Sequence, residues 1–178
     1  MRKSEAAVAM LVLCVCTVGM AQDSAKGEIF GGYQYTRINP GGGVTGNNFN
    51  GWNAAVTGYI KPNLGLTGDI GGAYRSVSGV SLKSHTFLFG PTLAVNSGKA
   101  RPFVHGLFGI MHASAGLGGS TASDNAFAAA LGGGVDLSFS PTVSVRLGQF
   151  DYLMSRFGST TQNNFRFSAG VVLRVGKG

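Results

Sequence analysis

The feature that most restricts this chain is an alternation of apolar and polar residues, recurring in eight segments of roughly ten residues. That is the length a tilted strand needs to cross a bilayer. The segments are Glu28–Arg37, Asn50–Ile60, Leu64–Arg75, Ser84–Val95, Arg101–Ala113, Ala126–Phe139, Val143–Met154 and Asn164–Val175. Their connections alternate in length. Ile38–Phe49, Ser76–Lys83, Ser114–Asn125 and Ser155–Asn163 are long and rich in Gly, Ser, Thr and Asn, whereas Lys61–Asn63, Asn96–Ala100 and Ser140–Thr142 are short. Mobile loops on one rim and tight turns on the other predict an all-β fold, an eight-stranded antiparallel transmembrane up-and-down β-barrel, with the long loops outside the cell.

Composition narrows the setting. The chain has 30 glycines and only 12% charged residues, and its mean hydropathy is positive. Yet no apolar run after residue 21 approaches the length of a membrane helix. A chain this apolar enters a membrane only as a closed barrel, in which strands satisfy one another's backbone groups without water. The formal charge of +7 falls to +6 once Arg2, Lys3 and Glu5 are removed. The remaining basic residues are scattered singly, which excludes a phosphate-tracking nucleic-acid surface and fits contact with outer-membrane lipids and anionic lipopolysaccharide.

The removal follows from the amino terminus. Basic Met1-Arg2-Lys3 precedes an unbroken apolar stretch from Ala6 to Cys16, and Gly19-Met20-Ala21 offers small residues to a signal peptidase. Residues 1–21 are thus expected to be a signal peptide cut after Ala21, leaving residues 22–178 as one barrel domain in the outer membrane of a Gram-negative-type bacterium. Cys14 and Cys16 leave with the signal, so no disulfide or cysteine metal site is expected. Leu13 and Val15 precede the cysteines where a lipid anchor needs a small residue.

Alternation also assigns faces. Trp52, Ala54, Val56, Gly58 and Ile60 should face lipid, against Asn53, Ala55, Thr57 and Tyr59 inward. Leu64, Leu66, Ile70 and Tyr74 should face lipid against Thr67, Asp69 and Arg75, and Phe165 to Val175 against Asn164, Arg166, Ser168 and Arg174. Tyr33, Tyr35, Trp52, Tyr74, Phe127, Phe165 and Phe167 share the outward parity beside a long loop, as an interfacial aromatic girdle requires. The segment from Arg101 has apolar residues on both parities, so its register stays open. Pro91 lacks an N–H for the ladder and predicts a bulge. Inward Gly132 and Gly134 would make room for larger neighbours.

In so narrow a lumen charges must pair. A turn centred on Pro141 sets Asp136 opposite Arg146, barrel closure brings Glu28 to Arg174, and Asp69 lies mid-barrel within reach of Arg146. The lumen should be filled by its own side chains and conduct little, with a narrow passive pore as the alternative. No cofactor is implied, and His85, His105 and His112 show no metal-ligand spacing. His112 and Ser114, two apart on a strand, share a face.

Several stretches look familiar in order and spacing: Leu64-Gly65-Leu66-Thr67-Gly68-Asp69, Phe87-Leu88-Phe89-Gly90-Pro91, Arg101-Pro102-Phe103-Val104-His105, Leu131-Gly132-Gly133-Gly134-Val135-Asp136 and Arg146-Leu147-Gly148-Gln149-Phe150-Asp151-Tyr152. Together they resemble the outer membrane protein β-barrel domain family, akin to the OmpA and OmpX barrels, over essentially the whole chain after residue 21. Ser168-Ala169-Gly170-Val171-Val172-Leu173-Arg174-Val175 resembles the signal read by the barrel-assembly machinery, with aliphatic residues where aromatics are commoner. The resemblance implies a bare monomeric barrel, porin-like in location but not an enzyme, with a structural or surface-interaction role and extracellular loops as its interaction surface. His112 and Ser114 separately resemble the base and nucleophile of outer-membrane lipid A deacylases. A lipid A-modifying enzyme is therefore the alternative from another class.

Overall fold

The computed structural model describes residues 27–39, 46–77, 79–118, 120–158 and 160–176. The expected signal peptide and its cut after Ala21, and Gly41-Gly42-Gly43 of the first connection, lie outside the described residues. Eight antiparallel strands run in chain order: β1 Gly27–Ile38, β2 Asn47–Lys61, β3 Leu64–Val77, β4 Val80–Ala94, β5 Ala100–Leu117, β6 Ser120–Ser138, β7 Val143–Phe157 and β8 Thr160–Val175. They form one closed barrel in which each strand pairs with its sequence neighbour and β1 closes on β8. No edge is left unpaired, the condition for a sheet to sit in lipid.

Side chains follow the strand parity. Phe30, Asn53, Thr57, Asp69 and Arg166 are buried in the lumen, whereas Ile29, Trp52, Val56, Ile70 and Phe165 are exposed on the outer wall. The fifth strand is settled by the same measure: Leu107 is 2% exposed and its neighbour Phe108 is 55% exposed. Phe103, His105, Leu107 and Met111 therefore point inward, and Val104, Phe108 and Ile110 outward.

Two local expectations are corrected. Pro91 produces no bulge: its ladder with β3 keeps one register through Leu66↔Pro91. On the β5 side, Phe89↔Phe108 and Thr92↔His105 belong to a single register on either side of it. A bulge lies instead in β7, where Arg146 faces Gly170 but Gln149 faces Ser168. One extra residue there reverses the parity of all that follows, and brings Gln149, Asp151, Leu153 and Ser155 inward.

The second correction concerns the long rim. Only the first connection is long. The other three are tight hairpins whose ladders continue to Val77↔Val80, Leu117↔Ser120 and Phe157↔Thr160. Each turn holds a glycine with positive φ, Gly79 at 81°, Gly118 at 56° and Gly158 at 55°, the backbone state that two-residue hairpins demand. β5 and β6 reach 18 and 19 residues, where about 9–11 suffice to cross a bilayer.

Gly132 shows why small residues line the lumen: a Cβ there would fall 2.1 Å from a carboxylate oxygen of Asp151 and 2.3 Å from the Phe150 carbonyl. Replacing Gly132 by Val should therefore destabilise the barrel by about 1–3 kcal/mol through overpacking. The check is the urea midpoint of the heat-shifted band on a gel, and an unchanged midpoint would contradict the packing described.

Candidate functional site: a charged lumen and a polar belt

The lumen is organised by four guanidinium groups facing four carboxylates. At the short-turn rim Glu28 accepts from Tyr59 Oη at 2.9 Å and meets Arg101 Nη1 at 3.4 Å and Arg174 Nε at 3.3 Å. One step in, Arg146 donates twice to Asp136, from Nε at 2.8 Å and from Nη2 at 3.0 Å. Its guanidinium lies between the rings of Phe30 and Phe103, 4.3 and 4.2 Å from their centroids. A planar cation in that slot is held on both faces and at its edge.

From Arg146 the chain of contacts continues through Gln149 to Asp151. His105 Nε2 and Arg166 Nε each reach Asp151 at 2.7 Å. Arg166 Nη1 then reaches Asp69 at 2.6 Å, and Asn53 Nδ2 donates to the other Asp69 oxygen at 2.9 Å. Asp69 therefore pairs with Arg166 and not with Arg146, because the Phe30 and Phe103 rings and Asp136 fix Arg146 one layer away. Thr57, Thr67 and Thr92 add a hydroxyl ladder at 2.8 and 2.6 Å. Where Glu28, Thr57, Thr67, Thr92, His105 and Gln149 meet, the cavity is about 10 Å³, the room of about one water. Leu88, Leu107, Met111 and Leu153 fill the lumen on the β4–β7 side, packed on Ala126, Ala128 and Ala130.

Arg101, His105, Asp151 and Arg166 are the partners that sequence reasoning missed. Arg101 and His105 lay on the strand whose parity was open. Strict alternation from Arg146 sends Asp151 outward, and only the β7 bulge turns it in. Arg166 was placed inward by its parity, but nothing in one sequence tells which carboxylate across the barrel it meets.

On the outer wall the seven expected girdle aromatics take outward positions. Tyr33 donates to Asn50 at 2.5 Å and Trp52 Nε1 donates to Tyr74 Oη at 3.1 Å. The Tyr74 hydroxyl lies 3.2 Å from His85 Nε2. Gly72 makes this possible, since a Cβ there would lie 2.8 Å from the indole nitrogen and 2.7 Å from the phenol oxygen. His85 stands opposite His112, and His112 opposite Asn125, whose Oδ1 is 2.8 Å from His112 Nδ1. Asn125 and Asp124 belong to β6 rather than to a loop.

His112 and Ser114 thus share the outward face, but no hydrogen bond joins them among the described residues. The side chain oriented on His112 is a neutral amide, which fixes a tautomer without supplying a charge for an imidazolium. Ser114 and His112 are paired on both sides, to Lys83 and Ser123 and to His85 and Asn125. Backbone N–H groups at these positions are committed to the ladders, so they offer no oxyanion donors. This arrangement is built to orient side chains along a surface.

A profile described as "Outer membrane protein beta-barrel domain" matches residues 7–174. No curated protein matches the sequence. Among solved structures, the chain is similar to Ail, the attachment invasion locus protein of Yersinia pestis, at 19% identity and TM-score 0.65, covering 85% of this chain and 99% of that one. It is also similar to Neisserial surface protein A, at 14% identity and TM-score 0.71, covering 86% and 99%. A second Ail structure, in complex with the heparin analogue sucrose octasulfate, matches at 19% identity and TM-score 0.63, covering 85% and 99%.

Arg166 is the test of the lumen network. Replacing it by Met leaves Asp69 and Asp151 buried without their cation and should cost about 3–5 kcal/mol. Arg174→Met, at the partly solvated rim, should cost well under half as much. Urea unfolding of the two variants in detergent measures the difference, and equal losses would refute a network centred on Arg166.

Proposed function

The chain belongs to the outer membrane protein beta-barrel domain family, and on that premise we propose that it is a surface-interaction barrel. Its lumen is filled by side chains, and the projecting hairpin end meets its partners. The observation that carries this reading is the length of β5 and β6. Their excess over a bilayer crossing amounts to on the order of 20 Å of strand, and its outer positions are polar: Thr121, Ser123 and Asn125 are exposed. A structural barrel needs no such extension. Exposed Arg37, Lys83 and Arg156 lie toward the same end and suit anionic surfaces such as lipopolysaccharide or a sulfated glycan of the kind the Ail complex contains. In this proposal the chain is exported by its signal peptide, inserted by the barrel-assembly machinery and works as a monomer.

Protease added to intact cells tests the orientation. Cleavage should fall in 39–46, the one long connection of that rim, and spare the tight turn at Gly118, where the ladder is paired up to Leu117↔Ser120. Cleavage only after the outer membrane is broken would reverse the topology.

Planar bilayers test the filled lumen. Ion pairs and packed side chains close an eight-stranded interior, whereas porins need about 16 strands for an aqueous channel. Purified protein should show no stable porin-like conductance, and reproducible open channels would favour the narrow pore.

A further inference from the structure

The interaction reading gives no role to the His112 and Ser114 pair, which stands beside Lys83 on the outer wall. On the outer wall of β4, β5 and β6 the cross-strand partners form rows. Lys83 faces Ser114 and Ser114 faces Ser123; below them run His85, His112 and Asn125; below those run Phe87, Ile110 and Phe127; and next come Phe89, Phe108 and Ala129. Partners in a row stand roughly 5 Å apart at their Cβ atoms. The wall therefore changes from polar to apolar within one step, between the histidine row and the Phe87 row. Phe87, Phe89, Phe108, Ile110 and Phe127 are 45–55% exposed, so they offer a bare apolar surface directly beneath the donors.

The hydrogen-bonded belt orients the His85 ring. Trp52 is a donor only, so the Tyr74 oxygen accepts from it and its own hydrogen is available to His85 Nε2. In the tautomer that accepts this hydrogen, His85 carries its own proton on Nδ1, which has no hydrogen-bond partner among the described residues. His112 is held by Asn125 on its other side. Lys83 is exposed and makes no ion pair among the described residues. The acidic side chain nearest in sequence, Asp124, sits opposite Ala113 on the other parity of β6 and accepts from the Asn125 amide.

We propose that this patch binds the phosphate of a membrane lipid headgroup, with the Lys83 ammonium, His85 Nδ1–H and the Ser114 hydroxyl as donors and the Phe87, Ile110 and Phe127 row seating an acyl chain. An ammonium and two neutral donors on neighbouring positions of one face suit a phosphate monoester, whose dianionic charge and three terminal oxygens can take all three. A free phosphate ion would use the donors but not the rows beneath them; a lipid uses both. The inference rests on the membrane-barrel reading. It assigns Ser114 to holding a lipid rather than cleaving one, with His112 kept in the belt by Asn125.

The experiment uses the purified protein in phosphatidylcholine vesicles, with spin-labelled phosphatidic acid or phosphatidylcholine as probe. The motionally restricted fraction gives the relative association. Phosphatidic acid should be preferred several-fold, and Lys83→Gln with His85→Gln should bring the ratio close to one. Lys61→Gln with Lys99→Gln, which removes two exposed cations at the short-turn rim, should leave it nearly unchanged. Retention of the heat-shifted gel band in each variant shows that the barrel is intact, separately from lipid selection. Should the double variant not fold, Lys83→Gln alone replaces it, since that side chain is exposed. Equal loss from the Lys61 and Lys99 variant would mean diffuse surface charge and overturn the site, as would no preference in the unaltered protein. Displacement by millimolar inorganic phosphate would make it a free-ion site, and Ser114-dependent release of fatty acid would make it hydrolytic; either result overturns the assignment.

Discussion

Everything in this structure depends on the closure of β1 onto β8. In hydrocarbon an unpaired backbone amide has no water to turn to, so the sheet has to end where it begins, and eight strands fix the radius. A wall of that radius encloses a space no wider than the side chains it carries. The consequence is electrostatic as much as steric. Arg146, Arg166 and four carboxylates stand in a space with little solvent, where one charge without its partner costs several kcal/mol. The pairing of Asp136 with Arg146, and of Arg166 with both Asp69 and Asp151, is the form that constraint takes here.

The same constraint explains the division of the wall into zones. Where lipid touches it, every second residue is apolar and aromatics such as Trp52 and Tyr74 gather at the interface. Beyond that level neither face has to be apolar, and the ladders of β5 and β6 continue with serines, threonine and asparagine. Backbone pairing, with side-chain contacts such as that of Asn125 with His112, holds these extensions, with tight glycine turns closing them.

That division also decides what was legible in the sequence. Inside the bilayer the period of two is enforced by lipid on one side, and the parities of Asn53, Thr57, Asp69 and Arg166 follow from the residues alone. Outside it the enforcing solvent is gone. The polar runs from Ser76, Ser114 and Ser155 therefore resemble loops although they are strands, and the informative marks were the glycine-containing pairs at 78–79, 118–119 and 158–159. The charged lumen was half visible. The partnership of Asp136 with Arg146 follows from a short turn and that of Glu28 with Arg174 from closure. Asp151 was hidden by one inserted residue in β7, and His105 by a strand apolar on both sides.

The placing of arginines on β8 bears on how the barrel comes to be. Arg166 and Arg174 sit on the last strand made, while their carboxylates belong to β1, β3 and β7. An incomplete sheet that lacks β8 holds Glu28, Asp69 and Asp151 with much of their countercharge missing, and such a sheet has no comfortable place in lipid. The arrival of the final strand joins the seam and neutralises the interior in one event. Assembly of this chain is therefore expected to be all-or-none: a late, electrostatically proofread step that favours the complete barrel over any open precursor.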